Sequence, residues 1–443
     1  MSADPRPSPP PAVESGLTSA RRLRTLDSIL DVPAFRWYLL SMLGNWSAMQ
    51  MQQVVRGYLA YDMTGSYAAL GAVALANSVP RLLLALSGGV IADRASRRYV
   101  MQAGQAFSAL LTAAVAVLLF ADLLTVTHLI ITAALQGVSM SFTMPARQAM
   151  IPEIVGPERL TNAIGLNASG MNTMRLLAPA LAGVLLAVVG GAWVYTLMAA
   201  LYVAAVVAMF RVPTKPVAPP MHDGAPRMEA APRPVRTGSS RGGLRDIGEA
   251  FAYLRHQPVL TMLLVVHLFV VLFSMPYQRL LPGFVADVLA NNDAEAAWKF
   301  GVLLTFTGLG ALVGSLFVAS LPNRRRGRLL IASIALFAVA LLAFAASVNF
   351  WLSIGIVIVL GIGQAGRQSL SQILIQTHVE DAYRGRISSI MMMEMGLESF
   401  GTFAIALIAV AFGIQWAFGF VALALLAVAV VVALLLPSYR RLE

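Results

Sequence analysis

The sequence predicts an all-α integral membrane protein of about twelve transmembrane helices in two six-helix bundles. Three observations carry this. Of 443 residues, 58% are hydrophobic and only 12% are charged, whereas a soluble domain carries roughly a quarter charged residues. The apolar residues collect in about twelve runs near the ~20 residues that cross ~30 Å of hydrocarbon at ~1.5 Å per residue. One long polar connection divides these runs six and six.

In chain order the spans are expected near 37–62, 68–91, 99–121, 126–150, 164–188, 192–211, 258–285, 299–321, 329–347, 351–376, 387–411 and 414–436. Residues 1–34, rich in Pro, Ser and Ala, read as a disordered cytoplasmic tail. No apolar core lies close enough to the start for a cleavable signal peptide. An N-terminal bundle is expected over 35–212, a cytoplasmic linker over 213–257, a C-terminal bundle over 258–437 and a second tail over 438–443. The linker is crowded with Pro, Gly and Arg from Pro213 to Gly243. Beyond it, Leu244, Ile247, Phe251 and Leu254 recur at helical spacing, which predicts a short amphipathic helix on the membrane surface. Prolines 80, 179, 276 and 282 fall inside spans, where packed neighbours can satisfy the freed backbone groups.

Charge sets the expected topology. Lys and Arg total 32 and the formal charge is +11. Outside the spans the basic residues fall in the tails and even-numbered connections, and Lys299 alone stands at the edge of an odd one. By the positive-inside rule both termini are expected in the cytoplasm, in the cell membrane. The same asymmetry explains the basic balance without nucleic acid. With no cysteine and five scattered histidines, no metal or thiolate chemistry is expected, and no cofactor. Neither a catalytic triad nor a phosphate-binding loop occurs, so neither an enzyme nor direct ATP drive is expected. The halves also match weakly: Gly71, Arg94 and Arg98 align with Gly301, Arg324 and Arg328, and Gly137 with Gly361, as an internal duplication would give.

The connection after the second span reads G-x-x-x-D-R-x-x-R-R at Gly89, Asp93, Arg94, Arg97 and Arg98. This resembles the signature of the major facilitator superfamily of secondary transporters, with Ser96 where many members have glycine. Four segments resemble its bacterial drug and siderophore exporters of the enterobactin type: Tyr58 to Ser66, Pro145 to Ala149 with Ile151-Pro152, Asn162 to Ile164, and Arg384-Gly385-Arg386. Span 5 resembles the exporter motif G-P-x-x-G-G at Ala178, Pro179, Ala182 and Gly183, with two glycines replaced by alanine. The resemblance implies that the first charged motif gates the cytoplasmic side, with Asp93 engaging the start of span 11, and that spans 1, 4, 7 and 10 line a central cavity.

Each of those four spans has a polar face. Span 1 aligns Asn45, Gln52 and Arg56; span 4 aligns Gln136, Thr143 and Arg147; span 7 carries His267, Ser274 and Gln278; span 10 brings together Gln364, Arg367 and Gln368. A central arginine facing lipid costs ~2.5 to 3.5 kcal/mol on insertion scales, so these faces should point to protein or water. They are read as cavity lining or interhelical glue. Arg81 and Arg175, with Pro179 and Gly183, are read as structural or gating residues. Glu394 and Glu398 are the acids well inside an apolar run; at i and i+4 they share a face, where mutual repulsion and burial favour binding a proton. Met391, Met392, Met393 and Met395 surround them, as adaptable lining or core filler.

Together these readings lead to the expectation of a secondary transporter that exports a siderophore or amphipathic drug-like molecule by proton-coupled alternating access, as a monomer. A proton-coupled uptake symporter, and a non-transporting receptor or scaffold, are the alternatives.

Overall fold

The computed structural model describes residues 27–94, 96–213, 252–320, 325–380 and 383–435. Most of the expected linker, including Leu244, Ile247 and Phe251, lies outside the described residues, as do 1–26 and 436–443. The described chain is helical throughout: α1 (Asp27–Asp31), α2 (Pro33–Asp62), α3 (Tyr67–Arg94), α4 (Arg97–Phe120), α5 (Val126–Met209), α6 (Pro258–Phe284), α7 (Asp293–Ser320), α8 (Arg326–Ala346), α9 (Phe350–His378), α10 (Arg384–Phe412) and α11 (Ile414–Leu435). A π-helical turn, Val285–Leu289, follows α6.

Local chemistry sets the ends. Pro33 opens α2, where its missing N–H costs nothing. Asn349 caps α9, its Oδ1 accepting from the backbone N–H groups of Trp351 at 2.9 Å and Leu352 at 3.2 Å. The 84-residue α5 is broken at Gly156 (φ 72°) and Gly190 (φ 79°), backbone conformations that favour glycine. It therefore supplies three crossings, spans 4, 5 and 6. Nine stretches among the described residues are long and apolar enough to cross a membrane. One of these, Asn162–Met209, divides at Gly190; with α2, which is long enough but more polar, and α10, whose apolar stretch Gly396–Phe412 lies within a 29-residue helix, the count reaches the expected twelve.

Two boundaries move. The ordered chain starts before residue 34: α1 lies within the expected tail, Ser28 donates its backbone N–H to Asn162 at 3.3 Å, and Asp31 pairs with Arg159 at 3.3 Å. The gating motif is also less of a turn than its glycines imply, because α3 continues through Arg94 and α4 restarts at Arg97.

Helices α2 to α5 pack as one bundle and α6 to α11 as the other, with seams of α3 against α10, α5 against α7 and α2 against α6. Glycine permits the closest approaches. A Cβ on Gly137 would lie 2.1 Å from the Asn77 carbonyl oxygen, and one on Gly361 would lie 2.2 Å from that of Thr307. Span 4 on span 2 and span 10 on span 8 thus make the same contact, at positions the weak repeat aligns. Between the bundles, Gly183 and Gly301 meet backbone to backbone, a Cβ on Gly183 falling 2.3 Å from the Gly301 Cα. Gly355, by contrast, has open space around it.

Gly137→Val should therefore destabilise the N-terminal bundle by about 1–3 kcal/mol, the usual cost of overpacking. Thermal unfolding of the detergent-purified protein should show a lowered midpoint for Gly137→Val and an unchanged one for Gly355→Ala. Equal midpoints in the two variants would contradict the packing described.

Candidate functional site

The polar face of span 1 and much of that of span 4 turn into the N-terminal bundle. Gln52 Nε2 donates to Thr112 Oγ1 at 3.3 Å, Gln136 Nε2 to Ser108 Oγ at 2.9 Å, and Gln105 Nε2 to Ser41 Oγ at 3.0 Å. Ser41 in turn donates to the Ala205 carbonyl at 2.8 Å, so buried side-chain hydrogen bonds tie span 3 to spans 1 and 4 and span 1 to span 6. A cavity of about 30 Å³ beside it is lined by Asn45, Gln105, Gln136, Thr143, Arg147 and Tyr202. That is about the room one water needs. Arg56 is buried near Tyr195 and Tyr202, and the Arg147 guanidinium lies 5.8 Å from the centre of the Trp46 ring.

The C-terminal bundle holds the charged centre. His267 Nε2 on α6 faces Glu394 Oε2 on α10 at 3.5 Å. One turn further along α10, Glu398 Oε1 pairs at 3.4 Å with Nη2 of Arg279, which lies about three turns further along α6. The two acids share a helix face, as their spacing implies, but each is taken by a different residue of α6. Gln278 Nε2 donates to Gln364 Oε1 at 3.3 Å. Arg367 is 1% exposed and packs over the Phe337 ring at 5.5 Å, with its Nε and Nη2 lacking hydrogen-bond partners.

This centre reaches the seam between the bundles. The Gln368 amide, with its oxygen toward span 5, accepts from Arg175 Nη1 at 2.8 Å and Nη2 at 3.1 Å. Ser78 and Ser399 share a hydrogen bond at 2.6 Å across α3 and α10. Arg81, Arg175 and Arg367 all lie within Coulombic reach of Glu398. The seam thus joins residues from spans 2, 5, 7, 10 and 11, while Gln52 and Gln136 bond within the N-terminal bundle. Sequence reading missed Arg279, whose signal was a guanidinium inside an apolar span beside the chosen Gln278.

At the membrane face opposite the chain termini, a second missed residue closes the seam. Both phenols of Tyr61 and Tyr67, at the ends of spans 1 and 2, donate to the Asp287 carboxylate in the π-turn after α6: Tyr61 to Oδ1, and Tyr67 to Oδ2 at 2.6 Å. Charge assistance strengthens both bonds. Gly283 makes room for the rings, since a Cβ there would sit 2.4 Å from Tyr67 Cε1. Gly183, four residues after Pro179, adds the backbone contact with Gly301. At the other face, Arg97 pairs with Glu153 at 2.7 Å and donates to the Ala149 carbonyl at 2.9 Å, and Arg98 donates to the Phe210 carbonyl at 3.0 Å. These two motif arginines tie span 3 to the ends of spans 4 and 6. The side chains of Gly89, Asp93 and Arg94, and with them the expected Asp93 contact, lie outside the described residues.

Gly57 lies one turn inside Tyr61, with van der Waals room for a Cβ against Leu70 and Pro282. The chain has no cysteine, so Gly57→Cys provides a single thiol behind the clamp. Adding Asp287→Ala should raise its rate of reaction with a bulky hydrophilic maleimide several-fold in the purified protein. An unchanged rate would show that the clamp does not hold this mouth closed.

Comparison with known proteins agrees with this architecture. A family model described as transmembrane secretion effector matches residues 28–441. The staphyloferrin A transporter of Staphylococcus aureus is 24% identical over 88% of this chain and 92% of its own. The multidrug efflux pump Tap of Mycolicibacterium fortuitum is 26% identical over 87% and 91%, and the macrolide efflux protein A of Streptococcus pyogenes 23% over 77% and 80%. Among solved structures, the nucleoside transporter NupG superposes with a TM-score of 0.67 at 14% identity, covering 91% of this chain and 99% of that one. A bacterial homologue of the lysosomal transporter Spinster gives 0.66 at 14% identity, covering 95% and 97%. With its twelve crossings in two bundles and a family match over nearly its whole length, the chain belongs to the transmembrane secretion effector family of the major facilitator superfamily.

Proposed function

We propose that this protein exports a small molecule, a siderophore or an amphipathic drug-like compound, by proton-coupled alternating access in the bacterial inner membrane. Its relatives' names, a siderophore transporter and multidrug and macrolide efflux pumps, support the substrate classes. The observation that carries coupling is the Glu394–His267 pair. Glu394 Oε2 and His267 Nδ1 are buried without hydrogen-bond partners. A proton bound at Glu394 turns an unsatisfied carboxylate into a donor for His267 Nε2, so protonation changes the energy of the packing between α6 and α10.

On this reading both termini lie in the cytoplasm, where the basic residues gather, and the clamp of Tyr61, Tyr67 and Asp287 faces outward. The bundles rock as a monomer about the seam. Proton entry from outside reaches Glu394 in the outward state, after substrate has left; release of that proton inside accompanies loading of the next substrate. The gating motif, Gly89 to Arg98, governs the inner mouth. An arrangement that gives the proton and the substrate different states couples one gradient to the other.

Reconstitution in vesicles with an imposed pH gradient tests this. Substrate should accumulate against its gradient on the side from which protons leave. Glu394→Gln should abolish that accumulation and preserve exchange driven by a substrate gradient alone. Undiminished accumulation in Glu394→Gln would remove the pair from coupling, and movement of substrate in the same direction as protons would overturn export.

A further inference from the structure

The two carboxylates of α10 differ in their surroundings, and the difference bears on which ligand the seam takes. Glu394 has one imidazole beside it and lies within the C-terminal bundle. Glu398 stands at the seam, next to the Ser78–Ser399 contact, with four guanidiniums around it: Arg279 in an ion pair, and Arg81, Arg175 and Arg367 within Coulombic reach. Arg279 takes the carboxylate itself, while Arg175 and Arg367 interact with it only through space. Arg367 is almost fully buried, and two of its nitrogens have no hydrogen-bond acceptor. Arg175 reaches across the seam to an amide oxygen, a neutral acceptor. A buried donor without an acceptor is costly, and an anion added beside Arg367 and Arg175 would satisfy both.

We infer that the seam is a site for a polyanionic ligand bearing carboxylate-type groups, and that Glu398 is a built-in substitute for that ligand, holding Arg279 when the site is empty. This rests on the export reading and names the substrate class for it. A ligand carboxylate entering the seam competes with Glu398 for the guanidiniums. When the ligand leaves, Glu398 closes on Arg279 again, so the empty carrier does not return with its positive charges unanswered. Guanidinium suits this exchange because its planar fork binds one carboxylate or another in the same geometry. The roles of the two acids divide accordingly: Glu394 binds the proton and Glu398 guards the anion site. A cationic ligand would bind by the opposite logic, pairing with Glu398 itself, and the sign of one substitution separates the two.

The experiment is equilibrium binding of two probes to the detergent-purified full chain: trimesate, a rigid aromatic tricarboxylate, and tetraphenylphosphonium, a lipophilic cation. Glu398→Gln removes the competing charge while keeping size and hydrogen-bonding shape. It should tighten trimesate binding by about tenfold. Arg175→Gln, which removes the charge that reaches across the seam to Gln368, should weaken it by a similar factor. Thermal unfolding of each variant confirms that it is folded. Trimesate binding that is absent from both wild type and Glu398→Gln, or that is unchanged or weaker in Glu398→Gln, overturns the inference. So does tetraphenylphosphonium binding that is lost in Glu398→Gln. The assay reads no flux: tightened trimesate binding without directional transport in vesicles would overturn export alone, and transport with no tightening would overturn the anion site alone.

Discussion

A guanidinium in the middle of a membrane must meet an anion, a dipole or water, and the cost of failing to do so organises this molecule. Burying one partner of an ion pair without the other is among the more expensive things a fold can do, because low dielectric amplifies both the attraction and the desolvation. Here the arginines of spans 2, 5, 7 and 10 converge on one acid of span 11. That convergence draws both bundles to a shared seam. The neutral packing around it is correspondingly close: glycine meets glycine at Gly183 and Gly301, and Gly396 leaves no space for a Cβ beneath Leu82. A seam with strong central electrostatics and thin, shape-dependent contacts on either side is suited to having more than one stable arrangement.

Much of this was legible in the sequence, and the reasons are physical. The hydrocarbon thickness and the need to satisfy every backbone group inside it leave helices as the solution for such a chain, so composition and run length fixed the architecture. The turns at Gly156 and Gly190 fall between expected spans 4 and 5 and spans 5 and 6. Glu394, Glu398 and Arg367 stood out because their cost in lipid is large. Periodicity shows which residues share a face but not what lies opposite that face. Gln52 and Gln136 share faces with Asn45 and Thr143, yet their side chains bond inside the N-terminal bundle. For the same reason Glu394 and Glu398 read as a mutually repelling pair, whereas His267 and Arg279 take them separately. Asp287 carries no local signal of its role, because its two phenol partners lie more than two hundred positions earlier in the chain.

The weak resemblance between the halves gains a structural meaning from these contacts. Gly137 on Asn77 and Gly361 on Thr307 are one packing solution used twice, at positions the repeat aligns. The charged residues do not follow the repeat. The Glu394–His267 and Glu398–Arg279 pairs of α6 and α10 belong to the C-terminal bundle, and the N-terminal bundle carries a neutral hydrogen-bond network in its core. The N-terminal bundle contributes Arg81 and Arg175 to the seam. On the coupling proposed above, a proton bound in one half alters the contact between the two.

The central claim is that the bundles exchange between arrangements about this seam under control of the Glu394 site. Spin labels at Leu123→Cys and Val348→Cys, exposed turn positions on the clamp-bearing face of the N-terminal and C-terminal bundles, would report it by pulsed electron paramagnetic resonance. We expect two distance populations in the reconstituted protein, with acidification shifting weight toward the longer one, and no such shift in Glu394→Gln. A single distance that does not respond to pH, or an equal shift in Glu394→Gln, would contradict the account.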